Sequence, residues 1–415
     1  SYEYDGLKRL TEESIVVGNA TPDVYAYEYD DYGNRASMTA TGSEDYVTEY
    51  DYTDAQGNYT TLLQKEVKTS EEEENDPLNL NPNSNVKQTV YTYDASGNQM
   101  TKTADGKTET YTYDALNQQT QVVSEDVTAS YTYNISGLRI SKTVDGETTE
   151  HVWNGQQIIA DVKVSGHHIA TIYTRGTSLA ATYDFYNGQK TLVGYYHQNA
   201  HGDVVNLTDA DGEIIKTYRY DAFGVEKNID ENDSNPFRYC GEYFDAETGT
   251  IYLRARYYSP TTGRFTQRDS YTGRQGDPLS LNLYTYCHNN PIRYIDPSGH
   301  IFKKIGNWFG DRYDDWKTGA GIIKDDVKEG WNTYVDGWET IVNGEAGKMI
   351  KEDVIPVVKD SVISGAKSAG IWFVSGVNST LGALLTGLDK SNSLFGIVNS
   401  KKTFDDKVTI HSENV

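Results

Sequence analysis

Aromatic and polar residues alternate along the first two thirds of the chain in short, recurring blocks. "YEYDGLKRL" at residue 2 is followed by "YEYDDYGNR" at 27, "YDYTDAQGN" at 50, "YTYDASGNQ" at 91, "YTYDALNQQ" at 111 and "YTYNISGLR" at 131. In each block Tyr-x-Tyr puts two rings on one face of an extended segment, and the Asp-x-x-Gly-Asn type of sequence that follows is turn chemistry. The pattern predicts hairpins that turn, return and pair with the next. Successive blocks lie roughly 20 to 25 residues apart, except where the acidic, Asn/Pro-rich "SEEEENDPLNLNPNSN" at 70 to 85 interrupts the period. A hairpin this short cannot bury its apolar face alone, so the units must stack into a continuous, winding sheet. Thr, Val and Ile in "TEHVWNGQQIIADV" and "HIATIYT" carry the strand pattern further along the chain. The repeated tyrosines read as scaffold; the other reading has exposed rings stacking on the sugars of a cell wall.

Beyond residue 300 the period changes. Phe302, Ile305, Trp308, Phe309, Trp316, Trp331, Tyr334, Val335 and Trp338 recur at helical spacing with acidic and lysine residues between them, which predicts amphipathic helices. "SAGIWFVSGVNSTLGALLTGL", residues 368 to 388, carries no charge and is long enough to span a bilayer. Its Ser, Asn, Thr and Gly content makes it only weakly hydrophobic. A buried helix and a membrane-inserting segment both remain open readings.

Composition sharpens that break. Of 34 tyrosines, 32 precede residue 301, whereas five of six tryptophans follow it, and the first 300 of the 415 residues carry 22 of the 24 net negative charges. Two compositions imply two domains. An aromatic content of 12% argues against disorder, and the acidic charge argues against a surface that wraps nucleic acid. Only Cys240 and Cys287 are present, so no disulfide framework or zinc-ligand spacing exists, while one bridge between them stays open. The chain opens in mid-pattern, and the expectation is a fragment whose targeting signal lies elsewhere.

Candidate chemistry is sparse. "DPSG" places Asp296 at i, Pro297 at i+1 and Gly299 at i+3 of a type I turn, and Asp277 of "GDPLSLN" reads the same way. His197 and His201 lie four apart in "YYHQNAHGD", a metal spacing only on a helix, yet the surroundings read as strand and turn. No metal or cofactor is expected. The two cysteines read as small buried hydrophobes and His411 as a surface residue.

The stretch "YYHQNAHGDVVNLTDADGEIIKTYRYDAFGV", then "NPFRYCGEYFDAETGTIYLRARYYSPTTGRFTQRDS" and "GDPLSLNLYTYCHNNPIRYIDPSGH", resembles the YD-repeat or Rhs family. That family includes polymorphic and wall-associated bacterial toxins and the C subunits of insecticidal Tc complexes. The resemblance covers residues 1 to 300, with the last two stretches similar to the repeat-associated core. It implies a mainly β fold, a hollow cocoon of YD-repeat hairpins, with a mostly α-helical C-terminal region. The implied domains are a shell over 1–235, a core with an autocleavage site over 236–300 and a variable cargo over 301–415.

In self-cleaving members the core acts as an intramolecular aspartyl peptidase. The matching residues are Arg256 of "RYY", Asp269 after "GRF" and Asp296 of "DPSG", and the implied cut lies between His300 and Ile301. This chain departs from the family at two points, with "QRDS" for "QDP" and His300 where Leu closes the motif. Two close carboxylates cannot both stay ionised, so such a pair can act as acid and base on one water. Turn-only and dyad readings of Asp296 are both open. The implied partners are the chain's own C-terminal cargo, an immunity protein and delivery machinery, with a secreted or cell-surface location and membrane contact through 368–388. The alternative is a wall-associated adhesion protein that binds cell-surface carbohydrate and is not cleaved.

Overall fold

The computed structural model describes residues 1–304 except 19, 71–85, 165–168, 177, 187–188, 231 and 301–302, together with 371–373 and 384–386. The chain divides into two units. The first comprises Ser1–Gly146, Gln198–Val205 and Thr217–Gly306, and the second Glu147–His197, Asn206–Lys216 and Asn307–Val415.

One side chain organises each repeat of the first unit. Asp30 Oδ1 accepts from the backbone N–H groups of Tyr32 and Asn34, both at 2.8 Å, while Oδ2 accepts from Asn34 Nδ2 at 2.8 Å. Gly33 supplies the left-handed φ of +74° that closes the loop. Asp54 with Gln56 and Asn58, and Asp94 with Ser96 and Asn98, repeat the same contacts. Asp114 and Asn134 each cap the amides two and four residues on. The Asp after Tyr-x-Tyr is therefore a local cap that satisfies loop donors.

The loops join antiparallel strands β1 (Tyr2–Tyr4), β2 (Leu10–Ile15), β3 (Asp23–Tyr29), β4 (Arg35–Thr41), β5 (Tyr46–Asp51) and β6 (Lys65–Ser70). They continue through β7 (Val86–Tyr93), β8 (Gln99–Ala104), β9 (Lys107–Tyr113), β10 (Gln119–Val123), β11 (Thr128–Tyr133) and β12 (Arg139–Val144). Each strand pairs with its neighbour in sequence. The second tyrosine of four repeats donates its hydroxyl to a carbonyl of the preceding chain: Tyr29 to Leu10, Tyr93 to Leu63, Tyr113 to Gln99 and Tyr133 to Gln119, at 2.6 to 3.0 Å. The first tyrosine is buried at Tyr27, Tyr50, Tyr91, Tyr111 and Tyr131. These rings are scaffold, as expected, and their burial withdraws them from any sugar-stacking surface.

The core segment forms a four-stranded antiparallel sheet, β20 (Tyr243–Asp245), β21 (Thr250–Tyr252), β22 (Tyr257–Ser259) and β23 (Arg264–Phe265). Its polar side chains plug into the repeat loops of the same unit. Asn289 Nδ2 reaches the Gly33 carbonyl at 2.8 Å, Tyr284 Oη the Gly97 carbonyl at 2.8 Å, and Asn282 Nδ2 the Asn34 Oδ1 at 2.7 Å. Arg139 and Asp245, both fully buried, form a two-pronged pair at 2.6 and 2.9 Å, with Lys142 bridging Asp245 and Glu247.

In the second unit β13 (Glu147–Asn154) to β17 (Gln189–Gln198) form a meander through β14 (Gln157–Lys163), β15 (Ile169–Arg175) and β16 (Leu179–Tyr186). Val152, Ala160, Val162, Ala170, Ile172 and Phe185 make its core. His151 Nδ1 meets Asp161 at 2.7 Å, and Tyr173 donates to the same carboxylate.

The chain is thus mainly β. Among the described residues there is no α-helix, and no helix is long and apolar enough to cross a membrane. Of the helices expected over 301–366 only Lys303–Lys304 is described, and it is extended, pairing antiparallel with Tyr294–Ile295; the rest, with Ile301, His411 and 71–85 of the acidic interruption, lies outside the described residues. Within 368–388 the described backbone is extended, Ile371–Phe373 pairing with Leu384–Thr386, rather than one continuous helix.

Candidate functional site

The seam residues fold back onto β22 and the bend at Arg254–Arg256 before it. Gly299 takes a φ of +73°, and a Cβ there would stand 2.6 Å from the Leu253 carbonyl oxygen and 3.0 Å from Arg256 N. Only glycine fits that approach. Ala255 N donates to the Ser298 carbonyl at 3.3 Å, and Arg254, paired with Glu242, donates to the Pro297 carbonyl at 2.8 Å. The Asp-Pro-Ser-Gly turn is strapped along its whole length to the Arg254–Arg256 stretch.

Arg256 sits at the centre. Its guanidinium is buried over the Phe265 ring, 3.6 Å from the centroid. Nη2 lies 2.7 Å from Asp269 Oδ2 and 3.9 Å from Asp296 Oδ2. Nη1 donates to the Leu283 carbonyl at 3.1 Å, and Nε donates to the Gly299 carbonyl. Arg256, Asp269 and Asp296 therefore converge, with one guanidinium nitrogen facing both carboxylates.

The two carboxylates differ in their surroundings. Burial pushes the Asp296 carboxyl above the ordinary carboxylate range, against the opposing pull of Arg256 and of bonds from Ser298 and Gly299. At Asp269 burial also acts upward, but it is outweighed by His300 and Arg256, which hold this group below the ordinary range. Tyr271 N adds a 2.9 Å bond to Asp269 Oδ1. Asp296 Oδ1 accepts from Ser298 N at 3.2 Å, Ser298 Oγ at 3.1 Å and Gly299 N at 2.9 Å. An environment that separates two neighbouring carboxyls in this way favours one protonated and one ionised group.

His300 also joins the site, its Nδ1 3.2 Å from Asp269 Oδ1. Sequence reasoning marked His300 as a departure from the family motif but did not anticipate this contact. Asp277 lies elsewhere, exposed, its backbone closing a turn with Arg274 and Ser280.

A second cluster was not foreseen. His201, Asp203 and Cys240 place Nδ1, a carboxylate oxygen and Sγ within 4.8 Å of one another. Burial alone would lower the His201 pKa, but Cys240 and Asp203 drive it well above the ordinary value. His197 stands apart, its Nε2 2.9 Å from Thr208 Oγ1, so the pair read from sequence spacing is not a metal pair. Cys240 and Cys287 are both free thiols, which closes the question of a bridge.

A meander of Asp-capped hairpins, cross-braced by tyrosine hydroxyls and plugged by a polar core segment, is the architecture of a YD-repeat protein. Two family descriptions match: Teneurin YD-shell over residues 167–292 and RHS Repeat over 93–129. Among curated relatives, the tRNA nuclease WapA of Bacillus subtilis is 34% identical over 354 residues, covering 84% of this chain and 13% of that protein. The tRNA3(Ser)-specific nuclease WapA of Bacillus spizizenii is 34% identical over 303 residues, covering 72% of this chain and 12% of its own. Toxin protein Tse5 of Pseudomonas aeruginosa is 30% identical over 113 residues, covering 27% of this chain and 8% of its own. The chain thus spans about an eighth of the length of the two nucleases it matches. It belongs to the YD-repeat, or Rhs, family.

Proposed function

We propose that this chain is the repeat-and-core part of a bacterial Rhs polymorphic toxin, in which the β-shell of 1–235 encloses a C-terminal effector beginning near residue 301. The core, 236–300, releases that effector by intramolecular aspartyl cleavage between His300 and Ile301. Similarity to toxins and to tRNA nucleases of the same family supports the toxin reading. The observation that carries the cleavage reading is the convergence of Asp269, Asp296 and the seam on Arg256.

In this mechanism Asp269, held ionised, takes a proton from a water that attacks the His300 carbonyl carbon. Asp296, the carboxyl whose pKa burial raises, serves as the acid and gives a proton to the carbonyl oxygen. Collapse of the intermediate returns one hydroxyl proton to Asp296 and breaks the C–N bond, and the Ile301 nitrogen leaves as an amine after receiving from Asp269 the proton taken from water. Arg256 anchors the Gly299 carbonyl, one residue before that bond, and so positions the seam. The fold supplies proximity that a separate protease would gain through binding. The proposed partners are the chain's own cargo, an immunity protein and delivery machinery, with export or surface display as the setting. Contact of 368–388 with a membrane belongs to the same proposal.

Intact mass of the purified chain tests the reading. Two fragments with a new amino terminus at Ile301 are expected, retained in one particle under native conditions. Asp269→Asn and Asp296→Asn should each abolish the cut by at least about 100-fold, whereas Asp277→Asn should leave it unchanged. Arg256→Lys should slow it, because a point charge cannot reproduce the guanidinium fork. A chain that stays intact while well folded, or an Asp269→Asn variant that still begins a fragment at Ile301, overturns the mechanism.

A further inference from the structure

The repeat loop at 199–203 reverses the arrangement found in three of the others. In those an aspartate opens the loop and an asparagine closes it: Asp30 and Asn34, Asp54 and Asn58, Asp94 and Asn98. Here Asn199 opens and Asp203 closes, joined by Asn199 Nδ2 donating to Asp203 Oδ2 at 2.8 Å. Asn199 Oδ1 still caps the backbone N–H groups of His201 and Asp203, each at 3.0 Å. The loop keeps its shape, so local structure does not require the exchange. What it changes is chemistry, since a carboxylate now stands where those three loops present an asparagine amide.

That carboxylate faces two further metal-ligand side chains. Asp203 Oδ1 is 2.8 Å from His201 Nδ1, and Cys240 Sγ is 3.8 Å from the same nitrogen. The outer contacts are those of a prepared coordination sphere. His201 Nε2 lies 2.6 Å from the Pro291 carbonyl oxygen, a bond that keeps a proton on Nε2, so Nδ1, which faces the Asp203 carboxylate, is the nitrogen whose proton a cation would displace. Cys240 N donates to Asp203 Oδ1 at 2.8 Å, fixing the orientation of the carboxylate.

We propose that His201 Nδ1, Asp203 Oδ1 and Cys240 Sγ bind a divalent transition-metal ion of the zinc class. Imidazole, thiolate and carboxylate together suit zinc, whereas magnesium and calcium favour all-oxygen sets. In a tetrahedral site the nitrogen–oxygen and nitrogen–sulfur separations are about 3.3 to 3.6 Å. Reaching that range opens the His201–Asp203 contact and closes the His201–Cys240 one, each by a few tenths of an ångström, and binding must also draw together the carboxylate and the thiol, which lie within 4.8 Å of each other. Three protein donors leave the fourth position for water. Binding releases the thiol proton and whatever proton Nδ1 holds, and it ties the 199–203 loop to the turn at Cys240. The role is a structural clamp between repeat and core, independent of the cleavage chemistry at Arg256.

Cobalt is the probe. The full chain, stripped with chelator, is titrated with Co²⁺ and then with Zn²⁺. One equivalent of Co²⁺ is expected to give the near-ultraviolet thiolate charge-transfer band and the visible bands of a tetrahedral site, and Zn²⁺ should erase both. Cys240→Ala should abolish the thiolate band and Cys287→Ala should retain it. Because Cys240→Ala could misfold, the parent chain supplies a second readout. Zinc should slow alkylation of Cys240 at least tenfold under mild denaturation that leaves Cys287 as the internal control. A folded parent chain with no thiolate band, a band that survives Cys240→Ala, or alkylation of Cys240 indifferent to zinc overturns the proposal.

Discussion

Glu13 gives the sharpest test of how the repeats are fastened to the chain that follows them. It lies on β2, is 1% exposed, and accepts from Ala222 N through both carboxylate oxygens at 2.8 and 2.9 Å. Tyr27 donates its hydroxyl to the same group at 3.0 Å. Burial, reinforced by the negative charge of Asp221, raises the Glu13 pKa from 4.5 to about 7, against the opposing effect of Ala222, Tyr27 and Lys227. A folded value above the unfolded one means that the stabilising contribution is complete below the unfolded pKa and disappears as pH rises through about 7. At about 1.4 kcal/mol per pKa unit, the ionised carboxylate at pH 8 costs about 3 kcal/mol relative to pH 4. Glu13→Gln removes the titration while its amide oxygen can still accept from Ala222. The variant should therefore gain on the parent by about 2 to 3 kcal/mol between pH 5 and pH 8. Native-state hydrogen exchange of the β2 and β3 amides measures this locally, without requiring the whole chain to unfold in one step. Comparing variant and parent at equal pH cancels intrinsic exchange and the contributions of other titrating groups. Parallel stability curves for the two proteins would refute the reasoning.

His300→Leu removes one of the groups that hold the Asp269 carboxyl low, so the acid limb of the cleavage-rate profile should move to higher pH; an unmoved limb means His300 does not act on the base. Asp245→Asn breaks the fully buried pair with Arg139 and should cost about 3 to 5 kcal/mol, read as a lower urea midpoint. A change under about 1 kcal/mol would show that the pair is compensated locally. Gly299→Ala should displace the seam, because the new Cβ meets the Leu253 carbonyl oxygen at 2.6 Å. Slower cleavage with unchanged circular dichroism is expected there, and an unchanged rate would disconnect the turn from the reaction.

The hairpin repeat was legible because its determinants are local. Tyr-x-Tyr sets the strand face, and the following Asp or Asn reaches amides only two and four residues ahead, as at Asp94 and Asn134. A tyrosine hydroxyl reaching back to the previous hairpin, as Tyr113 does to Gln99, cannot be read from one repeat alone. The cluster of His201, Asp203 and Cys240 was illegible for a related reason. Cys240 lies 39 residues from His201, and no spacing rule spans such a distance when the donors come from a loop and a turn. The exchange of Asn199 and Asp203 was the available signal, visible only when the loops are superposed by their capping role.

The two carboxylate oxygens of Asp296 have different surroundings. Oδ1 accepts from Ser298 and Gly299, which is the capping expected of an Asp at the head of an Asp-Pro-Ser-Gly turn. Oδ2 faces Arg256 at 3.9 Å, beside the guanidinium nitrogen that holds Asp269. Turn and chemistry were opposed as readings because a sequence shows one residue and not two oxygens. In the fold the two are compatible, since the bonds to Oδ1 fix the rotation that points Oδ2 toward Arg256, where the proposed chemistry would need it. An aspartate held in this way needs no further element to bring it to the seam, because the turn that positions it is the seam.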